Sequence, residues 1–224
     1  MRISVRGGQS EVKNQHDRPI CVAFAVTALH ECAFDTLRGS KKRAEIDLSE
    51  EYLHYHSKKR DGLKPNSTGT TVSAASASLA TDGQSLESLC PYQPSFSKGN
   101  LASPTRAALA DGRTRLLSGL RRLDLSLSGI RDSLRVSRPV IAVLDWYSNA
   151  YVTHLGLIEM PSKTDRYLGR HAVLIVELDE DPEPGACIIT FKNSWGLKWG
   201  DKGFGHFGLD YLRMYGREIW AVTS

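Results

Sequence analysis

The sequence predicts an α+β fold of two lobes, the first helical and the second rich in antiparallel strand, with a cleft where they meet. Two observations predict it. Candidate helices fill the first half, whereas β-branched runs bounded by turn formers follow from about Val140 onward. The length of 224 residues, 41% of them hydrophobic, suits one large domain, or one domain of two lobes, with a real core. The chain therefore reads as a single domain over residues 1–224, with a helical lobe at about 12–115 and a β-rich lobe at about 116–224.

The strongest helix candidate is Cys21 to Leu37, broken only by His30, Glu31 and Asp35 in an otherwise apolar sequence. A helix apolar on nearly every side is buried between other layers. Pro19 stands just ahead of it and Gly39 follows as a stop. A second helix starts at the cap Ser49, places Glu50 and Glu51 in its first turn and Lys58-Lys59-Arg60 in its last, and ends at Asp61-Gly62. A third, rich in small residues, runs from about Thr71 to Thr81 and stops at Asp82-Gly83. Pro104 to Leu109 is a short helix with a turn at Asp111-Gly112, and Ser126 to Ser137 a capped helix carrying Ile130 and Leu134. Val140–Leu144, His171–Val176 and Cys187–Phe191 read as strands, with Asp179–Gly185 as a hairpin connection.

Composition excludes several classes. The net charge of +4 comes in short bursts at Lys41-Lys42-Arg43, Lys58-Lys59-Arg60 and Arg121-Arg122, without the interleaved aromatics of a nucleic-acid surface; these read as solvated helix ends and loops. The four cysteines, Cys21, Cys32, Cys90 and Cys187, form neither a CxxC pair nor a disulfide scaffold. No His, Cys and Asp spacing suggests a metal, and no cofactor is expected. The N-terminus has no apolar core of a secretory signal, and no apolar run is long enough to span a bilayer. A cytoplasmic protein with reduced thiols, touching neither membrane nor nucleic acid, is the expectation.

Cys21 carries the chemistry. A thiol at the first turn of a helix is favoured as thiolate, because unpaired N–H groups and the helix dipole stabilise negative charge there. Acyl transfer by a thiolate further needs a base, a group that orients the base, and donors for the oxyanion. Val12-Lys13-Asn14-Gln15, five residues, then Cys21-Val-Ala-Phe-Ala25 resembles the nucleophile region of the papain-like (C1 family) peptidases. Gly169-Arg170-His171-Ala172-Val173 resembles that family's histidine strand, and Lys192-Asn193-Ser194-Trp195-Gly196-Leu-Lys-Trp199-Gly200-Asp-Lys-Gly203 its asparagine signature. Leu48-Ser49-Glu50 and Pro91-Tyr92 are weaker echoes. The resemblance covers most of the chain and implies a papain-like fold. It makes Cys21 the nucleophile, His171 the base, Asn193 its orienting partner, Gln15 an oxyanion donor and Trp195 a shield over the His171–Asn193 bond.

The same resemblance marks departures. Arg18-Pro19-Ile20 stands where the family carries Cys-Gly-Ser, and Val22 where it carries Trp; the usual disulfide partner is gone, in accord with a reducing cytosol, and Cys90 becomes an unbridged, partly buried thiol. The family's substrate-pairing Gly-Gly is here Gly69-Thr70. Val143 and Ala172 would line the main specificity pocket and favour apolar side chains. Arg170, where plant and animal members often carry Asp or Asn, suggests a preference for acidic or carboxylate-ended substrates. Only 20 residues precede Cys21, too few for the family's inhibitory pro-segment, so control falls to a regulatory protein partner, a further domain or substrate scarcity. The nucleophile region points to a divergent, bacterial-type member. The expected function is cysteine endopeptidase action on peptide or protein substrates through a thioester. The alternatives are acyl transfer, deamidation or isopeptide cleavage on the same site, or a silent peptide-binding module. The remaining histidines, His16, His30, His54, His56, His154 and His206, match no catalytic position and are expected to face solvent or to be satisfied.

Overall fold

A computed structural model describes residues 1–37, 45–62, 69–95, 101, 103–151, 153–180 and 187–223. The Lys41–Arg43 burst, the Gly39 stop and the connection from residue 181 onward lie outside the described residues. The chain divides into two compact units: Gly8–Ser10, Gln15–Arg121 and Val222–Ser224 form one, and Met1–Gly7, Glu11–Asn14 and Arg122–Ala221 the other.

The helical unit is built on α1 (Cys21–Leu37). Its sequence is apolar on every side, and Val22 through Cys32 are accordingly all buried, including Thr27, His30 and Glu31. The buried polar groups are answered: Glu31 accepts the Leu48 N–H at 2.9 Å and His30 Nδ1 meets Gln84 Oε1 at 2.9 Å. Helices α2 (Glu50–Lys58) and α3 (Val72–Thr81) start where capping residues allow. Ser49 accepts from the Tyr52 N–H and Thr71 from the Ala74 N–H, each cap contributing about 1 kcal/mol. Helix α4 (Arg106–Gly112) differs from the expected Pro104–Leu109. Thr105 is its cap, and the helix continues through Asp111-Gly112 instead of turning there. The reason is tertiary: a Cβ on Gly112 would lie 2.3 Å from the Tyr52 hydroxyl, so glycine is kept for close packing, and Asp111 accepts the Leu86 N–H at 2.9 Å.

The second unit is an eight-stranded sheet, mostly antiparallel, in the order β2-β8-β3-β5-β6-β7-β4. Its strands are β1 (Arg2–Ser4), β2 (Leu120–Leu123), β3 (Val140–Tyr147), β4 (Leu157–Ile158), β5 (Tyr167–Glu180), β6 (Cys187–Lys192), β7 (Phe204–Gly208) and β8 (Gly216–Val222), with α5 (Leu127–Arg135) and α6 (Leu209–Tyr215) against them. The spine is β5, 14 residues long. Along one edge it pairs with β3 from Tyr167 to Ile175, and β1 takes over that edge from Glu177 to Asp179. Along the other it pairs with β6, where the register slips between Ile175 and Glu177. One apolar core runs through Val140, Ala142, Leu144 and Trp146 of β3, Val173 and Ile175 of β5, Ile189 and Phe191 of β6, and Ile130 and Leu134 of α5.

Three of the remaining histidines face solvent or find a partner as expected, His206 through the Thr190 hydroxyl at 2.9 Å. His16 and His154 are exposed. His30, His54 and His56 are buried, and each keeps one ring nitrogen with no hydrogen bond among the described residues. Among the described residues no helix is long and apolar enough to cross a membrane, and no group of His, Cys, Asp and Glu is arranged to hold a metal.

Candidate active site

His171 sits near the start of the apolar stretch of β5, opposite Leu144 of β3. Asn193 directly follows the last residue of β6. Its backbone N–H donates to the Gly203 carbonyl at 2.9 Å, and Gly203 itself has φ +87 with Val12 so close that a Cβ would meet Cγ1 at 2.3 Å. Only glycine fits there on both counts. The loop thus pinned carries the Asn193 side chain back to the histidine, and Nε2 of His171 lies 2.8 Å from Asn193 Oδ1. The Ser194 N–H also donates to Oδ1 at 2.8 Å. Two donors converging on one atom identify it as the amide oxygen. Nε2 therefore carries the hydrogen, and Nδ1 keeps its lone pair whenever the ring is neutral.

An aromatic box surrounds this bond. The His171 ring lies 4.8 Å from that of Trp146 and 5.2 Å from that of Trp195. Tyr151 stacks on Trp195 at 5.2 Å, and Trp199 meets it edge-on at 5.4 Å; Trp199 is fixed in turn by its indole N–H to the Ala150 carbonyl at 3.0 Å. His171 is 6% exposed and Asn193 4%. Burial holds the imidazole down at about 4, against the smaller upward pull of the Asn193 bond. Trp146 has no place in the sequence-level reading. Its signal was there: β3 runs past Leu144 to Tyr147, and the alternation that faces Leu144 toward His171 brings Trp146 to the same side.

Cys21 and Gln15 belong to the helical unit. Cys21 is the first residue of α1 and is intermediate in exposure. Gln15 is buried; its side-chain N–H donates to the Arg18 carbonyl at 2.8 Å, and its own carbonyl accepts the Tyr92 hydroxyl at 2.5 Å. An amide nitrogen has two hydrogens, so this bond takes one of them and fixes the amide plane. Gly69 lies beside the same loop, 3.5 Å from the Pro19 carbonyl measured from a Cβ built on it. The Thr70 hydroxyl is buried and makes no hydrogen bond among the described residues.

In the sheet, Val143 stands directly opposite Ala172, and Asp145 opposite Arg170. Ala172 is buried, Val143 half-buried and Arg170 exposed. Asp145 is already paired with Arg217, so the Arg170 guanidinium forms no ion pair among the described residues. The structure thus brings His171, Asn193 and Trp195 into contact, sets Val143 against Ala172, and places Gln15 on the loop that runs into Cys21.

Known proteins resemble this chain in sequence and in fold. A family model described as Papain family cysteine protease matches residues 3–221. Digestive cysteine proteinase 2 of Homarus americanus is 28% identical over 200 residues, which is 89% of this chain and 58% of that protein, so the chain spans less than two thirds of that relative's length. Among solved structures, xylellain, a cysteine protease from Xylella fastidiosa, shares the fold with a TM-score of 0.84 at 19% identity, covering 100% of this chain and 85% of that one. The bromelain protease from Ananas comosus, in complex with the E64 inhibitor, gives a TM-score of 0.71 at 19% identity, over 100% of this chain and 99% of that one. At these identities the structural likeness speaks for the fold. The family match speaks for ancestry, and on it the chain belongs to the papain family of cysteine proteases.

Proposed function

We propose that the chain is a cysteine endopeptidase with Cys21 as nucleophile, His171 as its base and acid, Asn193 as the orienting group, and Gln15 with the Cys21 backbone N–H as oxyanion donors. The observation that carries this reading is the buried 2.8 Å bond from His171 Nε2 to Asn193 Oδ1. It leaves Nδ1 as the atom that takes the thiol proton. With burial outweighing the Asn193 bond the imidazole lies at about 4, so the ring keeps a proton at neutral pH only with a thiolate for partner. Cys21 and His171 then titrate as a pair.

The thiolate adds to a peptide carbonyl, and the oxyanion is met by the Gln15 amide and the Cys21 N–H. Nδ1–H of His171 protonates the leaving amine as the tetrahedral species collapses to the thioester. Water, deprotonated by the same Nδ1, hydrolyses the thioester, and expulsion of the sulfur restores the thiolate beside the protonated ring. Peptide or protein segments are the substrate. Gly69 and Thr70 pair with its backbone, Val143 and Ala172 form an apolar wall, Trp195 flanks the histidine, and Arg170 offers a cation.

The test is labelling with an epoxysuccinyl peptide, read by intact mass and peptide mapping, beside hydrolysis of a fluorogenic peptide. Wild type should carry one adduct on Cys21, absent in Cys21→Ala and slowed in His171→Ala. Turnover in both variants should fall by about 10³-fold or more. Equal labelling of Cys32, Cys90 and Cys187, or an unlabelled wild type, would overturn the reading.

A further inference from the structure

The segment joining Gln15 to Cys21 carries a group that the reaction itself does not use. Arg18 is 1% exposed, and the carboxylate it faces, Glu51 in the first turn of α2, is 0% exposed. The contact is a two-pronged fork: one terminal nitrogen of Arg18 binds Glu51 Oε2, and the other reaches Oε1 at 3.1 Å. The first nitrogen also donates to the Gln93 carbonyl at 3.1 Å. The guanidinium lies over the Tyr92 ring at 5.1 Å. Burying a charged pair costs solvation that ordinary packing would not, so such a pair is better evidence of a fixed geometry than of stability.

That geometry meets one of the two oxyanion donors directly, the Gln15 amide, and the backbone one residue before the other. The Arg18 carbonyl accepts both the Gln15 amide N–H at 2.8 Å and the Ile20 N–H at 2.9 Å. The Arg18 N–H donates to the Gln15 carbonyl at 3.3 Å, and Tyr92, over which the guanidinium lies, donates its hydroxyl to the same carbonyl. Side chain and backbone of one residue are thus tied to α2, to the 91–93 turn and to Gln15, one residue short of the proline that leads into α1.

We propose that Arg18 is a positioning residue for the oxyanion donors, its Glu51-clamped guanidinium holding the loop from Gln15 to Cys21 so that the Gln15 amide stays aimed. This rests on reading Gln15 as an oxyanion donor and Cys21 as the nucleophile. The role acts on the transition state of acyl transfer, where the oxyanion exists, and not on simple alkylation of the thiol, which forms no oxyanion. Misplacement by an ångström is enough to cost about 10²-fold, and loss of one oxyanion donor about 10²- to 10³-fold.

The experiment compares wild type, Gln15→Ala, Arg18→Met/Glu51→Gln and the triple variant. The double variant removes both charges together, so that neither is left buried alone, and Arg18→Lys serves as the conservative replacement. Each is measured for kcat and KM on a fluorogenic peptide, for the rate of Cys21 alkylation by iodoacetamide, and for folding by circular dichroism. The double variant should lose about 30- to 100-fold in kcat with KM and alkylation rate within about threefold of wild type. It should add little to the loss in Gln15→Ala, and Arg18→Lys should recover part of it.

An unchanged kcat in the folded double variant, or kcat and alkylation falling in parallel, overturns the role. If the double variant does not fold, a smaller loss of the same selective kind in Arg18→Lys, in kcat and not in KM or alkylation, decides, and its absence counts against the role. Unchanged kcat in Gln15→Ala removes the oxyanion reading and the Arg18 role with it; an unlabelled wild-type Cys21 removes the nucleophile assignment instead.

Discussion

The two groups of residues assigned to catalysis are held by opposite means. In the sheet unit the His171–Asn193 pair is enclosed by aromatic rings, Trp146 at 4.8 Å and Trp195 at 5.2 Å from the imidazole. In the helical unit the loop into Cys21 is organised by charge, with the Arg18 guanidinium forked onto a fully buried Glu51. An apolar box disfavours a proton on the histidine. It therefore makes the base responsive to its partner, because only a nearby anion offsets the cost of charging it. A buried fork gains direction from two parallel bonds, and it fixes backbone groups that carry no charge of their own. One arrangement tunes a titration and the other sets an aim.

The largest effect that would break this comparison is thermodynamic. Glu51→Gln alone, or Arg18→Met alone, leaves a buried charge without its partner and should cost about 3–5 kcal/mol. For a chain of this size that is a drop in melting temperature of about 6–20 °C, at about 2–4 °C per kcal/mol. Arg18→Met/Glu51→Gln should be more stable than either single variant. Three equal melts would mean that the pair is not a unit. Trp146→Ala should cost a comparable or slightly smaller amount, about 3–4 kcal/mol, because it empties a cavity beside buried Phe191 and Tyr211 as well as His171. It should also raise the His171 titration, which no change at Arg18 should do. Opening the box to water is the difference, and a histidine chemical-shift titration reads it.

The next effect is on pH. Burial lowers His30 to about 4 and His54 to about 3, from an ordinary 6.5. In the folded state these rings stay neutral between 4 and 6.5, while the unfolded chain takes up protons, so stability is full above 6.5 and is lost as the pH falls toward 4. For His30 the shift amounts to about 3 kcal/mol at about 1.4 kcal/mol per pH unit. The melting temperature should be flat from pH 8 to 7 and fall steadily below 6.5. A flat profile down to pH 4.5 would show that burial does not control these rings. The sharper test is Cys21→Ala, in which His171 should titrate near 4, against a clearly higher value in wild type where the thiolate supplies the opposite charge. Equal values in the two proteins would dissolve the proposed pairing.

Legibility in the sequence followed the same division. Helix α1 was readable at both ends, Cys21 and Leu37, because a segment apolar all round admits one structure. The central runs of β5 and β6 were readable from β-branched composition. The strand β7, Phe204–Gly208, was not, since Gly205 and Gly208 dilute its alternation. Nor was α6, whose N-cap Gly208 makes no side-chain bond. Catalytic candidates were legible where a motif is local, as with Asn193 beside Trp195. Trp146 was missed because its contact with His171 depends on strand register, and Arg18 because an arginine before a proline looks like surface until Glu51 of another helix is found against it. The burial of His30, His54 and His56 was not legible for a related reason: it is decided by packing partners far away in sequence.

The smallest expected effect concerns selectivity. Arg170 is exposed in the row beside Val143 and Ala172, and the carboxylate opposite it, Asp145, is held by Arg217. A cation in that position attracts an acidic substrate side chain or a terminal carboxylate. An exposed charge pair is worth only about 0.2–1 kcal/mol, so Arg170→Ala should shift the kcat/KM ratio of acidic to neutral peptides by about two- to fivefold and leave kcat on neutral peptides unchanged. The preference should fade in high salt in wild type, since exposed charges are screened. Arg217→Ala adds the discriminating arm. It releases Asp145 toward Arg170 and should weaken the same preference without touching residue 170, whereas an unaltered profile in both variants would leave the apolar wall of Val143 and Ala172 as the determinant of choice on this unit.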